Sequence, residues 1–300
     1  MTELDGVVLS GTGGRYRVLT AGTEVTASLR GRLKRGRDRV LVGDRVRLAI
    51  HGNGSHTIEH VHERRTLLRR RSPGRARGAR AIAANLDWVI AMGAAEQPRW
   101  DPHLMDRFLA VAAANGLPVV LLINKCDLCA DPEPLAEPYR KAGYPVELIS
   151  VALGRGLDRM RAILDGRVSL LTGPTGVGKS SLLNALEPGL KLRTGVAGRH
   201  GGRHITVAAE MHRFGADGLV ADTPGLRDIG LWGIDPLDVR QAFPELARFA
   251  EQCRFDNCRH TGEPGCAVID AADREEISRS RLLSYRRLLE EALTAARTWE

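Results

Sequence analysis

The 300-residue sequence is poor in aromatic residues and has no long apolar segment. Aromatic side chains make up 4% of the chain, and Tyr16 is the only one within residues 1–66. A surface for stacking nucleobases is therefore not expected in that segment. No run of about eighteen apolar residues occurs, which argues against a membrane-spanning helix. The first residues lack a basic stretch followed by an apolar one, so no secretory signal is expected.

Cysteine is also scarce, with five residues in the whole chain. The number is odd and three of the five cluster near the C-terminus. A disulfide framework is therefore disfavoured, and metal binding or free thiols in a reducing cytoplasm are favoured.

Positive charge is concentrated at one end of the chain. Residues 1–80 hold 18 Arg and Lys against 7 Asp and Glu, whereas the remaining residues hold 26 against 29. Such asymmetry indicates a polyanionic partner, most often a nucleic acid. The alternative is a solvated basic surface without a specific partner.

The first 66 residues are typical of a small β-barrel. Five short segments rich in β-branched residues are separated by glycine-containing turns. This pattern predicts an OB-type barrel over residues 1–70, in which arginines would contact phosphate groups. Residues 67–80 are basic and contain Pro, Gly and Ser, and we interpret 71–84 as a linker.

The central part of the chain alternates apolar segments with amphipathic ones. This alternation predicts an α/β domain over residues 85–235 with a mainly parallel sheet. Residues 236–300 change to helical periods around a Cys/His cluster and are expected to form a helical metal-binding domain. The predicted strands are 86–92, 118–123, 146–150, 168–172 and 218–222, and the predicted helices are 101–115, 133–142, 156–164 and 179–186.

A phosphate-binding loop follows the predicted strand 168–172. The sequence matches G-x-x-x-x-G-K-[ST] without a mismatch, between an apolar strand and a helix. Glycines let backbone N–H groups approach phosphates, Lys179 supplies a positive charge, and the Ser180 hydroxyl is a ligand for Mg²⁺. The expected contact residues are Gly173, Pro174, Thr175, Gly176, Val177, Gly178, Lys179, Ser180 and Ser181.

A second motif, Asn124-Lys125-Cys126-Asp127, indicates the identity of the base. It ends an apolar strand, where ligands of open α/β sheets bind. A carboxylate at Asp127 can accept from N1–H and the 2-amino group of guanine, whereas adenine would leave it unpaired. The same stretch can be interpreted as Cys126-x-x-Cys129, half of a zinc site or a redox pair. No second pair with matching spacing supports that alternative.

A third segment resembles the loop that binds the guanine oxygen in GTPases. Residues 147–156 end a predicted strand at Ser150 and offer backbone N–H groups beyond it. Val151 departs from the usual Ser-Ala pair of such loops.

A D-x-x-G motif, Asp222 to Gly225, follows the apolar segment "GLVA". Asp222 is expected to hold Mg²⁺ through water, and the Gly225 N–H to meet the γ-phosphate. The glycine-rich segment 195–211 lies between this motif and the phosphate loop, and its Thr206 can provide a hydroxyl for Mg²⁺. The predicted magnesium ligands are thus Ser180, Thr206 and Asp222.

Leu226 occupies the position at which many GTPases carry a glutamine that orients the attacking water. Another group must do this, or intrinsic turnover is slow. His204 is the candidate, together with Lys179 and Thr206 as predicted catalytic residues, although a simple loop histidine is an equally good interpretation. Arg199 and Arg203 are nearby candidates for neutralising developing charge.

Residues 253–266 carry the pattern Cys-x4-Cys-x-His-x5-Cys. Three thiolates and one imidazole match the ligands of a closed tetrahedral zinc site, which has no open position and is therefore structural. One zinc ion per chain is expected, with ligands Cys253, Cys258, His260 and Cys266.

The basic barrel, the early N-K-x-D motif and the Cys/His spacing together resemble the ribosome small subunit-dependent GTPase A family (RsgA, also called YjeQ). The resemblance covers essentially the whole chain and implies a circularly permuted GTPase domain between an OB-fold and a zinc domain. It implies hydrolysis of GTP to GDP, stimulated by the 30S subunit, and a late role in small-subunit maturation. The expected partners are the 30S subunit and 16S rRNA, with no membrane, for a monomeric cytoplasmic protein.

The switch segment departs from the pattern of that family, which usually contains His-Thr-Thr-Thr or a close variant. Here the segment reads His204-Ile205-Thr206-Val207, so Thr206 alone is left for the Mg²⁺ role. His204 matches the proposed catalytic histidine of the family.

Two other functions are compatible with the motifs. One is a nucleotide-gated RNA-binding module with negligible turnover, which Leu226 favours. The other is an ATP-dependent kinase or transferase built on the same phosphate loop, against which Asp127 argues.

Overall fold

The computed structural model describes residues 2–31, 39–71, 79–192, 210–222 and 235–297. They form a closed β-barrel, a six-stranded sheet with flanking helices, and a C-terminal group of helices. Within these ranges no helix combines the length and apolar character that a membrane crossing requires.

The N-terminal barrel closes in the strand order β1-β2-β3-β5-β4. Neighbouring strands pair antiparallel except β3 and β5, whose parallel pairing closes the barrel. The interior is filled by the buried apolar residues that alternate along the strands, among them Val8, Val18, Val46, Leu48 and Ile58. The predicted OB-type barrel is confirmed. Its strands are β1 (Thr2–Thr12), β2 (Arg15–Thr20), β3 (Thr23–Leu29), β4 (Arg45–Ile50) and β5 (His56–Val61).

A two-stranded antiparallel sheet follows the barrel. It consists of β6 (Leu67–Arg71) and β7 (Ala79–Ala84). Within the predicted linker 71–84, residues 79–84 are therefore a strand, and 72–78 lie outside the described residues. Leu68, Ala83 and Ala84 are buried at exposures of 2%, 0% and 0%, so the chain gains apolar burial by pairing here. Small alanines in a basic context gave too weak a strand signal.

The central sheet has the strand order β10-β9-β8-β11-β13-β12. All neighbours are parallel except β12, which pairs antiparallel with β13. Five predicted strands and four predicted helices are present with small shifts at their ends, whereas β12 was not expected. The elements are β8 (Trp88–Ala94), β9 (Val119–Asn124), β10 (Val146–Leu148), β11 (Val168–Thr172), β12 (Glu210–Phe214) and β13 (Gly218–Asp222), with α1 (Pro102–Ala114), α2 (Glu133–Lys141), α3 (Leu157–Leu164) and α4 (Lys179–Leu186).

The order of the strands creates a switch point between β8 and β11. Along the chain, β8, β9 and β10 add successively toward one edge, and β11 then returns to the other side of β8. In open α/β sheets, ligands bind outside the carboxyl ends of the strands at such a point. The loops that follow β8 and β11 therefore bound the expected ligand crevice.

The C-terminal helices pack on α1 of the central domain. They are α5 (Pro236–Gln241), α6 (Pro244–Ala250), α7 (Ala267–Asp273) and α8 (Arg279–Arg297). Arg107 on α1 donates two hydrogen bonds to the Glu291 carboxylate on α8, at 2.7 and 2.8 Å.

A buried ionic cluster lies at the centre of this contact. Arg281 on α8 is 1% exposed and forms ion pairs with Asp106 of α1 and Glu245 of α6. Its guanidinium also donates to the Ala242 carbonyl at 2.7 Å and lies 4.2 Å from the centre of the Phe243 ring. Burial raises the pKa of Asp106, an effect that the neighbouring Arg281 opposes. The cluster ties three segments that are far apart in sequence.

The barrel contacts the central domain at β12. Arg17 forms ion pairs with Glu24 within the barrel and with Glu210 at the start of β12. Arg213 donates to the Gly22 carbonyl at 2.7 Å.

Candidate nucleotide site and metal centre

The loop between β11 and α4 is packed so closely that two of its positions accept only glycine. Gly173 has φ 145°, and a Cβ there would lie 2.0 Å from the Met92 carbonyl oxygen of β8. Gly178 has φ 101°, and its Cβ would lie 2.6 Å from the Asn124 amide nitrogen. The loop therefore passes directly over the carboxyl ends of β8 and β9.

Lys179 begins α4 and folds back over this loop. Its ammonium group donates to the carbonyls of Gly173 and Pro174, at 2.7 and 2.8 Å. A positive charge is thereby held within the curve of the loop, beside the N-terminus of a helix, which favours anions. Ser180 and Ser181 follow in the first turn of the same helix and are partly exposed.

Asn124, the last residue of β9, connects the three loops of the site. It is 2% exposed. Its side-chain amide donates to the Val177 carbonyl at 2.8 Å, and its side-chain oxygen accepts from the Val151 N–H at 3.1 Å. The N-K-x-D motif, the phosphate loop and the Ser150 loop are therefore held together by one side chain.

Asp127 lies in a short 3-10 turn after β9 and remains exposed. The Ser150 hydroxyl donates to one oxygen of its carboxylate and accepts from the Leu153 N–H at 3.2 Å. Ser150 is itself 1% exposed, so it fixes the carboxylate from the protein side. The carboxylate is therefore held by Ser150 on the protein side and remains exposed to solvent.

The loop that follows β8 completes this edge of the sheet and was missed in the sequence. The Lys125 ammonium donates to the Gln97 carbonyl. Lys125 itself has a left-handed backbone with φ 59°. The Ala95 N–H donates to the Asn124 carbonyl at 2.8 Å, and the Trp100 ring lies over Gly93, where a Cβ would come within 2.4 Å. The loop after β8 could have been predicted as part of the site, because it follows a strand at the switch point of the sheet.

The second half of the predicted phosphate and magnesium site is only partly described. Asp222 ends β13, and its backbone is in register with Leu171 of β11, two residues before Gly173. Its backbone is thus placed beside the phosphate loop. His204, Thr206 and Gly225 lie outside the described residues.

The four predicted metal ligands come together in the C-terminal region. The Sγ atoms of Cys253, Cys258 and Cys266 and a ring nitrogen of His260 lie within 4.8 Å of one another. Nδ1 of His260 is 3.6 Å from Cys253 Sγ and 3.4 Å from Cys266 Sγ, and the latter two sulfurs are 4.0 Å apart. A tetrahedral ion with bonds of about 2.3 Å to sulfur separates its ligands by roughly 3.8 Å, so these residues can hold a metal ion.

Backbone geometry supports this arrangement. His260 has a left-handed backbone with φ 61°, and its carbonyl accepts from Arg286 Nε of α8 at 2.7 Å. Burial, reinforced by the charge of Arg240, lowers the pKa of His260 and favours the neutral imidazole that metals bind. Glu263 accepts from several backbone N–H groups of the same turn, and these bonds lower its pKa to about 2 against the opposing effect of burial.

Cys126 and Cys129 lie in the turn that follows β9 and are not part of this cluster. Each thiol donates to a backbone carbonyl, Cys126 to Ile123 at 3.2 Å and Cys129 to Asp131 at 3.3 Å. Burial raises the pKa of Cys126, so its thiolate is disfavoured. Both thiols have local structural contacts in the turn that holds Asp127.

Two family models match the chain. The model for the RsgA N-terminal domain matches residues 5–58, and the model for the RsgA GTPase matches residues 61–232, more than half of the sequence. The chain belongs to the RsgA GTPase family, a family of GTP-hydrolysing enzymes. The predicted family membership is thereby confirmed.

Curated relatives match over nearly their full length. The small ribosomal subunit biogenesis GTPase RsgA of Gemmatimonas aurantiaca is 45% identical, with 97% of this chain and 98% of the relative covered. The protein of the same name from Moorella thermoacetica is 38% identical, with 99% and 100% covered.

Solved structures of RsgA-type proteins share the fold. YjeQ from Thermotoga maritima has a TM-score of 0.78 at 32% identity, covering 97% of this chain and 99% of that one. YloQ, described as a circularly permuted GTPase, has a TM-score of 0.75 at 27% identity, covering 98% and 96%. The early position of Asn124-Lys-Cys-Asp127 relative to the phosphate loop agrees with such a permutation.

Proposed function

We propose that this RsgA-family GTPase binds GTP in the crevice at the ends of β8, β9 and β11 and hydrolyses it in response to the small ribosomal subunit. The observation that carries the proposal is the pair of hydrogen bonds of Asn124 to Val177 and Val151. They hold the loop 173–178 and the segment after Ser150 against the end of β9, which supports the proposal that one ligand contacts both. A nucleotide spanning both segments is the ligand that fits.

Guanine is the proposed base because of Asp127. Its carboxylate, oriented by Ser150, would accept from the two donors at the N1 and 2-amino positions. The stem of Lys125 would cover one face of the base, and backbone N–H groups after Ser150 would meet the guanine oxygen. Adenine would leave the carboxylate without a donor, at a cost that binding cannot recover.

The phosphates would be bound by the loop 173–178 and by Lys179. Binding would require the ammonium group to exchange its contacts with the Gly173 and Pro174 carbonyls for phosphate oxygens. The proposed Mg²⁺ ligands are Ser180, Thr206 and Asp222, all oxygen donors suited to this ion. When bound, Mg²⁺ would neutralise charge that develops on the phosphate oxygens.

Hydrolysis requires a water aligned with the γ-phosphate. Leu226 has no group that can orient it, and we propose His204 for this role with Thr206 and the Gly225 N–H beside the γ-phosphate. Replacing His204 by Ala should greatly lower ribosome-stimulated turnover while GTP affinity is retained. Unchanged turnover would remove His204 from the mechanism.

The proposed partner is the small ribosomal subunit, in a late step of its maturation. The relatives are named for small-subunit biogenesis, and the basic excess of residues 1–80 suits contact with 16S rRNA. We propose that the barrel contacts phosphate groups and that the chain acts as a cytoplasmic monomer. The Cys/His centre is proposed to hold one structural Zn²⁺, because thiolates and imidazole are the ligands that this ion prefers.

The test is GTP turnover measured against the concentration of 30S subunits at two salt levels. Turnover should rise with 30S, and the concentration needed should increase steeply with salt because arginine–phosphate contacts release counterions. GTP turnover that does not change with the concentration of 30S subunits would refute the ribosomal part of the proposal. Preferential binding of ATP in the same assay would refute the assignment of the base.

A second candidate function is a nucleotide-gated RNA-binding module, which the leucine at position 226 favours. It predicts GTP-dependent 30S binding with phosphate release no faster than in the absence of subunits. The same titration separates the two, since only an activated GTPase shows phosphate release rising with 30S.

A further inference from the structure

The metal-binding turn exposes an aromatic side chain that neither the metal nor the core uses. Phe255 lies between Cys253 and Cys258 and is 41% exposed. The other large apolar residues exposed to this degree, within the part of the chain that the structure describes, are leucines. An exposed aromatic ring on the surface of this turn needs an explanation, because aromatic residues make up only 4% of the chain.

The backbone that carries Phe255 is held firmly. Its carbonyl accepts from the Cys258 N–H at 3.1 Å, and the preceding residue, Arg254, donates its N–H to the Gly265 carbonyl at 3.0 Å. Metal ligands flank the ring on both sides along the chain. Little conformational entropy would therefore be lost when a partner contacts the ring.

Arg254 adds a cation to this surface. Its guanidinium carbon lies 5.5 Å from the centre of the Phe255 ring, and both side chains are exposed. A planar ring with an arginine beside it is the arrangement on which unpaired nucleobases stack. A base would use the π face of the ring, and the guanidinium could stack on the base or reach its phosphate.

The net charge of the C-terminal region, residues 236–300, differs from that of the barrel. Residues 236–300 hold 10 Arg and Lys against 12 Asp and Glu, so the region has no basic excess. Non-specific attraction to the phosphate backbone is therefore weak here. A contact with RNA at this turn has to come from stacking, which depends little on net charge.

We propose that Phe255, with Arg254 beside it, is a stacking site for an unpaired nucleobase of the small-subunit RNA. The inference rests on the proposed ribosomal function and adds a second mode of contact to it. The barrel would bind phosphate groups, and the metal turn would bind a base. Zinc would then serve RNA recognition by fixing the turn that presents the ring.

The first experiment measures the affinity for purified 30S subunits over a series of salt concentrations. The variants are Phe255→Ala, Phe255→Leu and Phe255→Trp, with Leu283→Ala as a control at another exposed apolar position. Loss of one stacked base corresponds to roughly a 5- to 150-fold weaker affinity for the Ala and Leu variants. Trp should restore binding, and the slope of log affinity against log salt should stay unchanged because no phosphate contact is lost.

The second experiment probes the accessibility of rRNA bases to base-modifying reagents. Wild-type protein should protect one or a few unpaired bases that Phe255→Ala and Phe255→Leu leave reactive. Zinc content and intrinsic GTP turnover of each variant should match those of the wild type, which shows that the turn is intact.

Three results would overturn the proposal. Equal 30S affinity of wild-type protein and Phe255→Ala would overturn the stacking site while leaving the ribosomal function in place. Weaker affinity without any change in base reactivity would indicate a contact with a ribosomal protein instead. Failure of the wild-type protein to bind 30S at all would overturn both the function and this inference.

Discussion

The candidate nucleotide site and the candidate metal centre of this protein are built in opposite ways. The nucleotide site collects residues from the ends of separate strands, with Asn124 bonded to Val177 across 53 positions of sequence. The candidate metal centre takes all four of its possible ligands from residues 253–266. The first depends on which strands lie side by side, and the second depends on one short turn.

This difference explains why permutation leaves the nucleotide site workable. Strand pairing is unaffected by where the chain begins, provided that the same loops meet at the same edge of the sheet. A metal turn has no such freedom, because its ligand spacing is part of one continuous segment. The two sites should therefore respond differently to disruption, and four predictions test that comparison.

Removal of the metal should have the largest effect, confined to the C-terminal region. Structural zinc contributes an apparent binding free energy of about 10–16 kcal/mol in small domains, so a chelator or Cys258→Ser should loosen the turn 253–266. Hydrogen exchange should increase there and remain unchanged at 119–127. Substitution of Cys129, which lies outside the cluster, serves as the control. If Cys258→Ser lowered GTP affinity as much as it loosened the turn 253–266, the two sites would not be independent.

Arg281→Met should have the next largest effect on stability, because Arg281 joins the C-terminal helices to α1 of the central domain. The substitution leaves Asp106 and Glu245 buried without their cation, which typically costs 3–5 kcal/mol. Denaturant unfolding should show the loss. Arg279→Met removes only an exposed pair with Asp273 and should cost at most about 1 kcal/mol. Similar losses in both variants would mean that the buried cluster does not hold the regions together.

Gly173→Ala should disrupt the nucleotide site while leaving the metal centre intact. The new Cβ would lie 2.0 Å from the Met92 carbonyl oxygen at a φ that L-residues avoid. Strain of about 1–3 kcal/mol or more should weaken GTP binding by roughly 10- to 100-fold. Gly189→Ala, with no atom closer than 3.8 Å to the added carbon, is the matched control. Binding measured by calorimetry should separate the two, and equal affinities would argue against close packing of the loop.

Asp127→Asn should lower GTP affinity within the same range as Gly173→Ala, and its effect should be the most specific of the four. Replacing the carboxylate by an amide removes one charged acceptor and presents a donor to guanine, which should cost about 1.5–3 kcal/mol of GTP affinity. ATP affinity should change little, so the ratio of the two affinities is the measurement. Asp131→Asn, which keeps the oxygen that accepts from the Glu133 N–H, should leave the ratio unaltered.

The sequence predicted those features whose residue types are required by a short, continuous segment of the chain. The phosphate loop, the Cys/His spacing and the barrel strands were visible because glycine, cysteine and alternating β-branched residues have strong positional requirements. The strand bounds Val168–Thr172 and Gly218–Asp222 match the prediction, since fully buried parallel strands appear as apolar runs.

Features that depend on tertiary contact were not visible. β12 lies at the end of a glycine-rich segment and becomes a strand by pairing with β13. The pairing of β6 with β7 buries Leu68, Ala83 and Ala84, and only this tertiary contact makes the two segments strands. Arg281 looks like any basic residue of an amphipathic helix, and only the approach of α1 and α6 buries it. The loop that follows β8 and contains Gln97 matches no sequence motif. Only its contacts with Lys125 and Asn124 in the folded chain show that it belongs to the site.

The two outer strands of the central sheet have a consequence for solubility. An open sheet ends in strands whose free N–H and C=O groups invite pairing with other molecules, and proteins limit this by shortening or covering such edges. At one margin β10 has only three residues. At the other, the barrel contacts β12 through Arg17 and Gly22. We therefore expect the barrel to limit pairing at this edge as well, so that detaching it should make the remaining chain precipitate more readily.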